Sequence, residues 1–167
     1  MEFKSSYPFD HAPEVVRDYL ADKDAIAYIT KNHREISSLE VVKFQQQADK
    51  LFLTLRYTVD VPMPGPIKKV LGELNSFLVD LILDSKSNKG TMEFTPAKMA
   101  GKIKAGGRIY FEQRADKWIQ TIDGDVSVSI FGVGKLIEKF FADSFKRSFA
   151  EESRLRNEYI NQARKKA

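Results

Sequence analysis

The residues able to do chemistry are few. The 167-residue chain has two histidines, His11 and His33, and no cysteine. Metal sites draw on His, Cys and carboxylate ligands at short, regular spacing. Neither histidine has a second ligand type four positions away on a helix that the sequence signals, so no metal site is expected. Without cysteine there is no thiolate nucleophile, no disulfide and no iron–sulfur ligation, and no Gly-x-Ser-x-Gly elbow is present. Gly132-Val133-Gly134-Lys135 has the outline of a phosphate loop. It lacks the spacing and the Ser or Thr that must follow the lysine, and it reads as a turn. No cofactor motif remains. An acid or base inside a cavity would support catalysis, but Asp80, Asp84, Glu112 and Asp125 fall on the outward faces of predicted strands. No catalytic residue is therefore assigned.

What remains is binding, through large apolar side chains at strand and helix spacing. Leu53, Leu55, Tyr57, Phe77, Val79, Leu81, Phe94, Phe111 and Trp118 are predicted to point inward from strands. Tyr57, Trp118 and Gln120 carry polar tips that could orient a ligand. Ile137, Phe140 and Phe141 lie on the apolar arc of a C-terminal helix. At ~100° per residue, Ser144 and Ser148 fall in the same arc. Two small residues there leave a recess, and their hydroxyls could bond a ligand's polar end or turn back to helix carbonyls. Met63, Ile67, Val70 and Leu71, in the proline-rich stretch Pro62–Gly72, form a candidate gate over the opening. Lys68 and Lys69 beside them suit transient contact with an anionic membrane surface.

The elements that must position these residues follow from periodicity. Phe3, Ser5 and Tyr7 alternate as a short strand, ended by Pro8 and Asp10. Pro13 opens a helix, and Asp22 or Asp24 caps a second that stops near Asn32. Ile36–Gln45 alternates imperfectly, which suggests a β-bulge. From Lys50 to Val61 alternation is clean. Three prolines then stop strand pairing, and Ile67, Val70 and Leu71 begin a short helix that Gly72 can end. Strands resume from Asn75, turn at Lys86–Gly90, and continue through Met92 and Phe94, Ile103–Arg114 and Trp118–Ile130. From Gly134 to about Ala163 apolar residues recur at helical spacing. The expected architecture is α+β: a curved antiparallel sheet wrapped around one long C-terminal helix, with two short helices after the first strand. A one-sided helix needs an apolar partner, and the concave sheet face is the large candidate.

Composition agrees with a folded chain. Hydrophobic residues are 43% and aromatics 11%, too many for a disordered chain. Met1–Tyr7 lacks the apolar stretch of a secretory leader, no segment approaches the ~18–20 apolar residues of a membrane span, and a cytoplasmic location is expected. The net charge is +4. The segment from Gly134 onward carries all of that surplus, because Lys135, Lys139, Lys146, Arg147, Arg154, Arg156, Arg164, Lys165 and Lys166 face only Glu138, Asp143, Glu151, Glu152 and Glu158. Interleaved acids and inward aromatics argue against a nucleic-acid partner. An adaptor role through this basic helix is an alternative.

Tyr7-Pro8-Phe9-Asp10-His11-Ala12-Pro13-Glu14-Val15-Val16 resembles the opening of START-like (SRPBCC) domains, where a strand runs into an Ala-Pro-Glu-x-Val helix start. Two further stretches, Asp60–Gly72 and Gly124–Lys139, are similar to a bacterial family of unassigned function in that superfamily. Its members carry a strand, a Gly-x-Gly-Lys-like turn and Ile-Glu-Lys at the start of the last helix. The final helix here is the more aromatic, through Phe140, Phe141, Phe145 and Phe149. The resemblance covers essentially the whole chain and implies one helix-grip domain over residues 1–167, the fold also seen in the birch-pollen allergen. It implies a cavity between sheet and helix that takes a hydrophobic small molecule or lipid. The alternative it leaves is an enzyme of the cyclase or hydrolase kind working in the same cavity.

Overall fold

The computed structural model describes residues 1–165; Lys166, counted above in the basic segment, lies outside them. The elements in chain order are β1 (Glu2–Phe9), α1 (Pro13–Asp18), α2 (Lys23–Asn32), β2 (Ile36–Gln47), β3 (Lys50–Val59), α3 (Gly65–Leu71), β4 (Ser76–Asp84), β5 (Lys89–Pro96), β6 (Ile103–Arg114), β7 (Lys117–Val128) and α4 (Gly134–Lys165). The strands form one seven-stranded sheet in the order β1-β7-β6-β5-β4-β3-β2, with every neighbouring pair antiparallel. The sheet packs around α4, which is the helix-grip architecture.

Local chemistry accounts for the elements. Asp22 Oδ2 accepts from the Ala25 N–H at 2.9 Å and caps α2. Gly72, at φ +60°, ends α3 in a backbone conformation that disfavours other residues. β2 carries register shifts at Ile36/Ser38 and Val41/Lys43, the source of its broken alternation. β1 runs past Pro8 to Phe9, and Pro8 pairs with Ile119. The expected stop at Pro8 is corrected because β1 lies at the sheet edge, where a missing N–H is tolerated. β3 ends at Val59 and β7 at Val128, each two residues short of the expectation. α4 has 32 residues and is about 48 Å long, with i,i+4 ion pairs Lys139–Asp143, Arg154–Glu158 and Arg156–Glu152 along it. No described helix is long and apolar enough to cross a membrane.

The core is the inner face of the sheet against α4. Phe3, Leu53, Leu55, Val79, Leu81, Ile109, Ile122, Ile137 and Phe149 are buried in one cluster. Phe3 lies over β7, and a side chain added at Gly124 would strike its ring at 2.6 Å. Gly124 thus lets β1 and β7 approach closely enough to bury Phe3 against Phe145, with ring centroids 5.5 Å apart. A second cluster of Phe9, Val16 and Ile160 closes the far end of α4. There Asp10 Oδ2 accepts from Asn157 Nδ2 and Asn161 Nδ2, both at 2.9 Å, and Asp10 pairs with Lys117.

Candidate functional site

An apolar cavity lies between the sheet and the N-terminal half of α4. Tyr57 and Val59 of β3, Phe77 of β4, Phe94 of β5, and Ile103 and Ala105 of β6 form one wall. Phe140, Phe141, Ser144, Phe145, Ser148, Phe149 and Glu152 of α4 form the other. Val61, Met63 and Leu74, flanking α3, line it beside Ser76, Pro96 and Ile36. The cavity volume is about 60 Å³. An apolar cavity of about 150 Å³ is what accepts benzene. In this conformation the site is a narrow cleft.

Aromatic rings do the narrowing. Phe145 stacks on Phe94 at 4.9 Å and on Phe141 and Phe149 at 5.8 Å each. Phe77 meets its edge at 6.0 Å and stacks on Tyr57 at 5.4 Å. These residues project inward because β3, β4 and β5 are in register at Tyr57↔Phe77 and Phe77↔Pro96, and Val79↔Phe94 lies one inward position along.

One end of the cleft is polar. Tyr57 Oη donates to Glu152 Oε1 at 2.7 Å, and Arg156 Nη1 donates to Glu152 Oε2 at 3.0 Å. All three residues are buried. Burial, and after it the Glu152 charge, pushes the Tyr57 phenol well above its ordinary value, so it stays a neutral donor. The four carboxylates weighed from the sequence did not include Glu152, which does face inward. Its position on α4, one turn beyond Ser148, follows the apolar arc, but a charged residue there reads from sequence as solvent-facing. Both carboxylate oxygens are engaged by donors, which suits a structural or anchoring role more than proton transfer.

The structure brings together Tyr57, Phe77, Phe94, Phe140, Phe141, Ser144, Ser148 and Met63 of the expected site. It places the others elsewhere. Leu53, Leu55, Val79, Leu81 and Ile137 are fully packed in the core, because the cleft occupies only one end of the sheet and side chains fill the middle. Phe111 packs against Phe9, with centroids 6.4 Å apart, at the opposite end. Trp118 pairs with Phe9 across β1 and β7 at that same end. Gln120 is buried, and its Nε2 donates to Ser153 Oγ at 3.2 Å. In the gate stretch Ile67 and Leu71 are buried, at 1% and 3% exposure. α3 therefore turns its apolar side into the core, with Val70 packed at its margin, and does not expose it. Ser148 Oγ donates to Glu35 Oε2 at 2.6 Å, so its hydroxyl is taken. Ser144 has no hydrogen-bond partner among the described residues.

Both histidines make hydrogen bonds within the fold, His33 to backbone and His11 to a side chain. His33 Nδ1 accepts the N–H groups of Glu35 and Ile36, and Nε2 donates to the Ser148 carbonyl at 3.1 Å. His11 Nε2 bonds Asn161 Oδ1 at 2.7 Å. Residues missed by sequence reasoning are Phe145, Phe149 and Glu152 on α4, with Ile36, Val59, Val61, Leu74, Ser76, Pro96, Ile103 and Ala105. The phenylalanines carried a signal, since they share the helical stripe of Phe141, as did Val59 and Val61, which alternate in step with Tyr57; the others carried none.

Comparison with known proteins gives the same fold. The family described as "Protein of unknown function (DUF2505)" matches residues 4–160. No curated protein matches. Among solved structures, TTHA0849 from Thermus thermophilus is similar at TM-score 0.68 and 14% identity, over 98% of this chain and 99% of that one. The di-domain ARO/CYC StfQ from the steffimycin biosynthetic pathway is similar at TM-score 0.65 and 10% identity, over 97% of this chain and 51% of that one. Ara h 8.0201 is similar at 0.60 and 12%, over 97% and 98%. These likenesses identify a helix-grip fold.

Proposed function

The chain belongs to the DUF2505 family, and we propose that it binds a hydrophobic small molecule or lipid between its sheet and α4. The observation that carries the reading is the cleft itself, apolar on nearly all sides and bordered by Met63. Each CH₂ removed from water contributes ~0.8 kcal/mol, so an eight-carbon chain supplies about 6 kcal/mol before ordering costs. Moving rings offsets part of that gain, since the resting space is smaller than the guest. Phe140 and Phe141 are the rings freest to move, being only partly buried. On this reading the whole chain acts as one cytoplasmic domain. Lys68 and Lys69, exposed on α3, give it a transient approach to anionic membrane surfaces where such ligands reside.

Mass spectrometry of gently purified protein tests the reading, paired with titration by a solvatochromic apolar dye. A co-purifying apolar molecule, or saturable dye binding that Ser144→Phe abolishes in a folded protein, supports it. Absence of both overturns it.

A further inference from the structure

The sheet ends in two edge strands, β1 and β2, and they are built differently. β1 exposes Glu2, Lys4, Ser6 and Pro8, charges and a proline that discourage a further strand. β2 has no proline, and every residue from Glu40 to Gln47 is exposed. Val41, Val42 and Phe44 are 40%, 47% and 54% exposed, three of the seven exposed large hydrophobic residues among those described. Scattered, such residues need no explanation. Clustered on an edge with unpaired N–H and C=O groups, they mark a surface for another strand.

The pairing with β3 fixes which way β2 points its side chains. Leu39, Val41, Phe44 and Gln46 lie across from Tyr57, Leu55, Leu53 and Leu51 on the inner face. Ser38, Glu40, Lys43 and Gln45 lie across from Thr58, Arg56, Thr54 and Phe52 on the outer face. The bulge between Val41 and Lys43 adds one residue, Val42, and reverses the alternation beyond it. We propose that β2 pairs antiparallel with β2 of a second copy of this chain, about a two-fold axis between Val41 and Val42, so that one sheet runs across a homodimer. In that register Leu39 meets the second copy's Phe44 on the inner face. Glu40 meets its Lys43, and Ser38 its Gln45, on the outer face. Without the added residue each of these pairs would fall on opposite faces. Glu40 and Lys43 are the only charges in β2. This register alone sets them opposite one another, and does so twice, as a two-fold interface requires. An axis through Glu40 or through Lys43 would instead place like charges together, which is destabilising. Glu40 reaches Arg56 of its own chain through Oε2 at 3.0 Å while 58% exposed, which leaves Oε1 for the lysine. Lys43 makes no ion pair among the described residues.

Sedimentation equilibrium of the full chain, from about 1 µM to about 1 mM, tests the pairing. One shared strand edge is a small interface, so a dimer with a Kd in the micromolar range is expected. Glu40→Lys and Lys43→Glu each turn two attractive cross-strand pairs into two repulsive ones. Each should raise Kd about tenfold or more. The two changes combined exchange the charges and should restore Kd to within about threefold. Both positions are exposed, and circular dichroism checks that every variant is folded. A monomer at all concentrations overturns the proposal, as does a dimer that neither single change weakens. A double variant no tighter than the singles overturns the register. Assembly beyond the dimer overturns the closed pairing, because β2 meeting β1 of the next copy head to tail gives open chains.

Discussion

Tyr57→Phe isolates one hydroxyl. The ring stack on Phe77, 5.4 Å between centroids and 4° from parallel, survives the change, and only the 2.7 Å bond to Glu152 Oε1 is lost. A hydrogen bond to a charged group contributes about 1.5–3 kcal/mol. The site is buried, so solvent does not replace the donor, and a loss of about 2 kcal/mol is expected. For a chain of this length each kcal/mol lowers the melting temperature by about 2–4 °C, giving a drop of roughly 4–8 °C. Urea unfolding measures the free energy and a thermal scan the shift. The same substitution made in a Glu152→Gln background should cost less, because the acceptor is then neutral. A loss below about 0.5 kcal/mol, the floor for a neutral bond, with equal effect in both backgrounds, would refute the claim that this phenol supports a buried charge.

Phe145→Ala removes the ring shared by the Phe3, Phe77, Phe94, Phe141 and Phe149 contacts. It should cost about 3–5 kcal/mol by urea unfolding and increase apolar dye uptake. Asp10 is held well below the usual carboxylate range, first by Lys117 and then by Asn161 and Asn157. Its contribution is therefore present above the ordinary value near ~3.9 and fades as pH falls through the lower folded value. Asp10→Asn should flatten the fall in stability below about pH 4, as read by denaturant midpoints. Amides of α3 should exchange with solvent faster than those of Leu53–Tyr57, since a cover must open locally; equal protection argues against a gate.

The architecture was legible because its signals were long. Alternation from Lys50 to Val59 and helical spacing after Gly134 cover many residues, and each apolar position agreed with its neighbours. The bulge in β2 showed itself as Val41-Val42, two adjacent β-branched residues that cannot share a face. Site membership was less legible. Periodicity gives the face a residue occupies, but not how far along that face a cavity lies. Leu55 and Tyr57 share one face of β3, yet one is core and the other is cleft wall. Phe111 and Trp118 face inward at the end that Phe9 and Ile160 fill. Ser148 lay in the correct arc, but its partner Glu35 is remote in sequence and arrives because His33, Arg34 and Glu35 itself tie the α2–β2 turn to α4. Glu152 was hidden for the same reason. A carboxylate in an apolar stripe looks like an exposed interruption until Tyr57 and Arg156 are seen to enclose it.

That enclosure poses an energetic question. Taking a carboxylate and a guanidinium out of water costs several kcal/mol per ion, and their attraction often only balances the loss. Apolar residues of similar volume pack such a position as well or better, by about 1–4 kcal/mol where they have been compared. Arg156 is also left with two unpaired nitrogens, which moves the balance further against the ion pair. Stability alone therefore does not explain Tyr57, Glu152 and Arg156 beside a cleft that is otherwise apolar. The triple variant Tyr57→Phe, Glu152→Leu and Arg156→Met should unfold at a urea midpoint equal to or above that of the unaltered protein. Arg156→Met alone, which strands the Glu152 carboxylate, should lose about 3–5 kcal/mol. If the triple variant is as unstable as that single one, the cluster is a structural brace that needs no guest. If it is as stable as the original and binds the apolar dye less tightly, the cluster's contribution is to recognition.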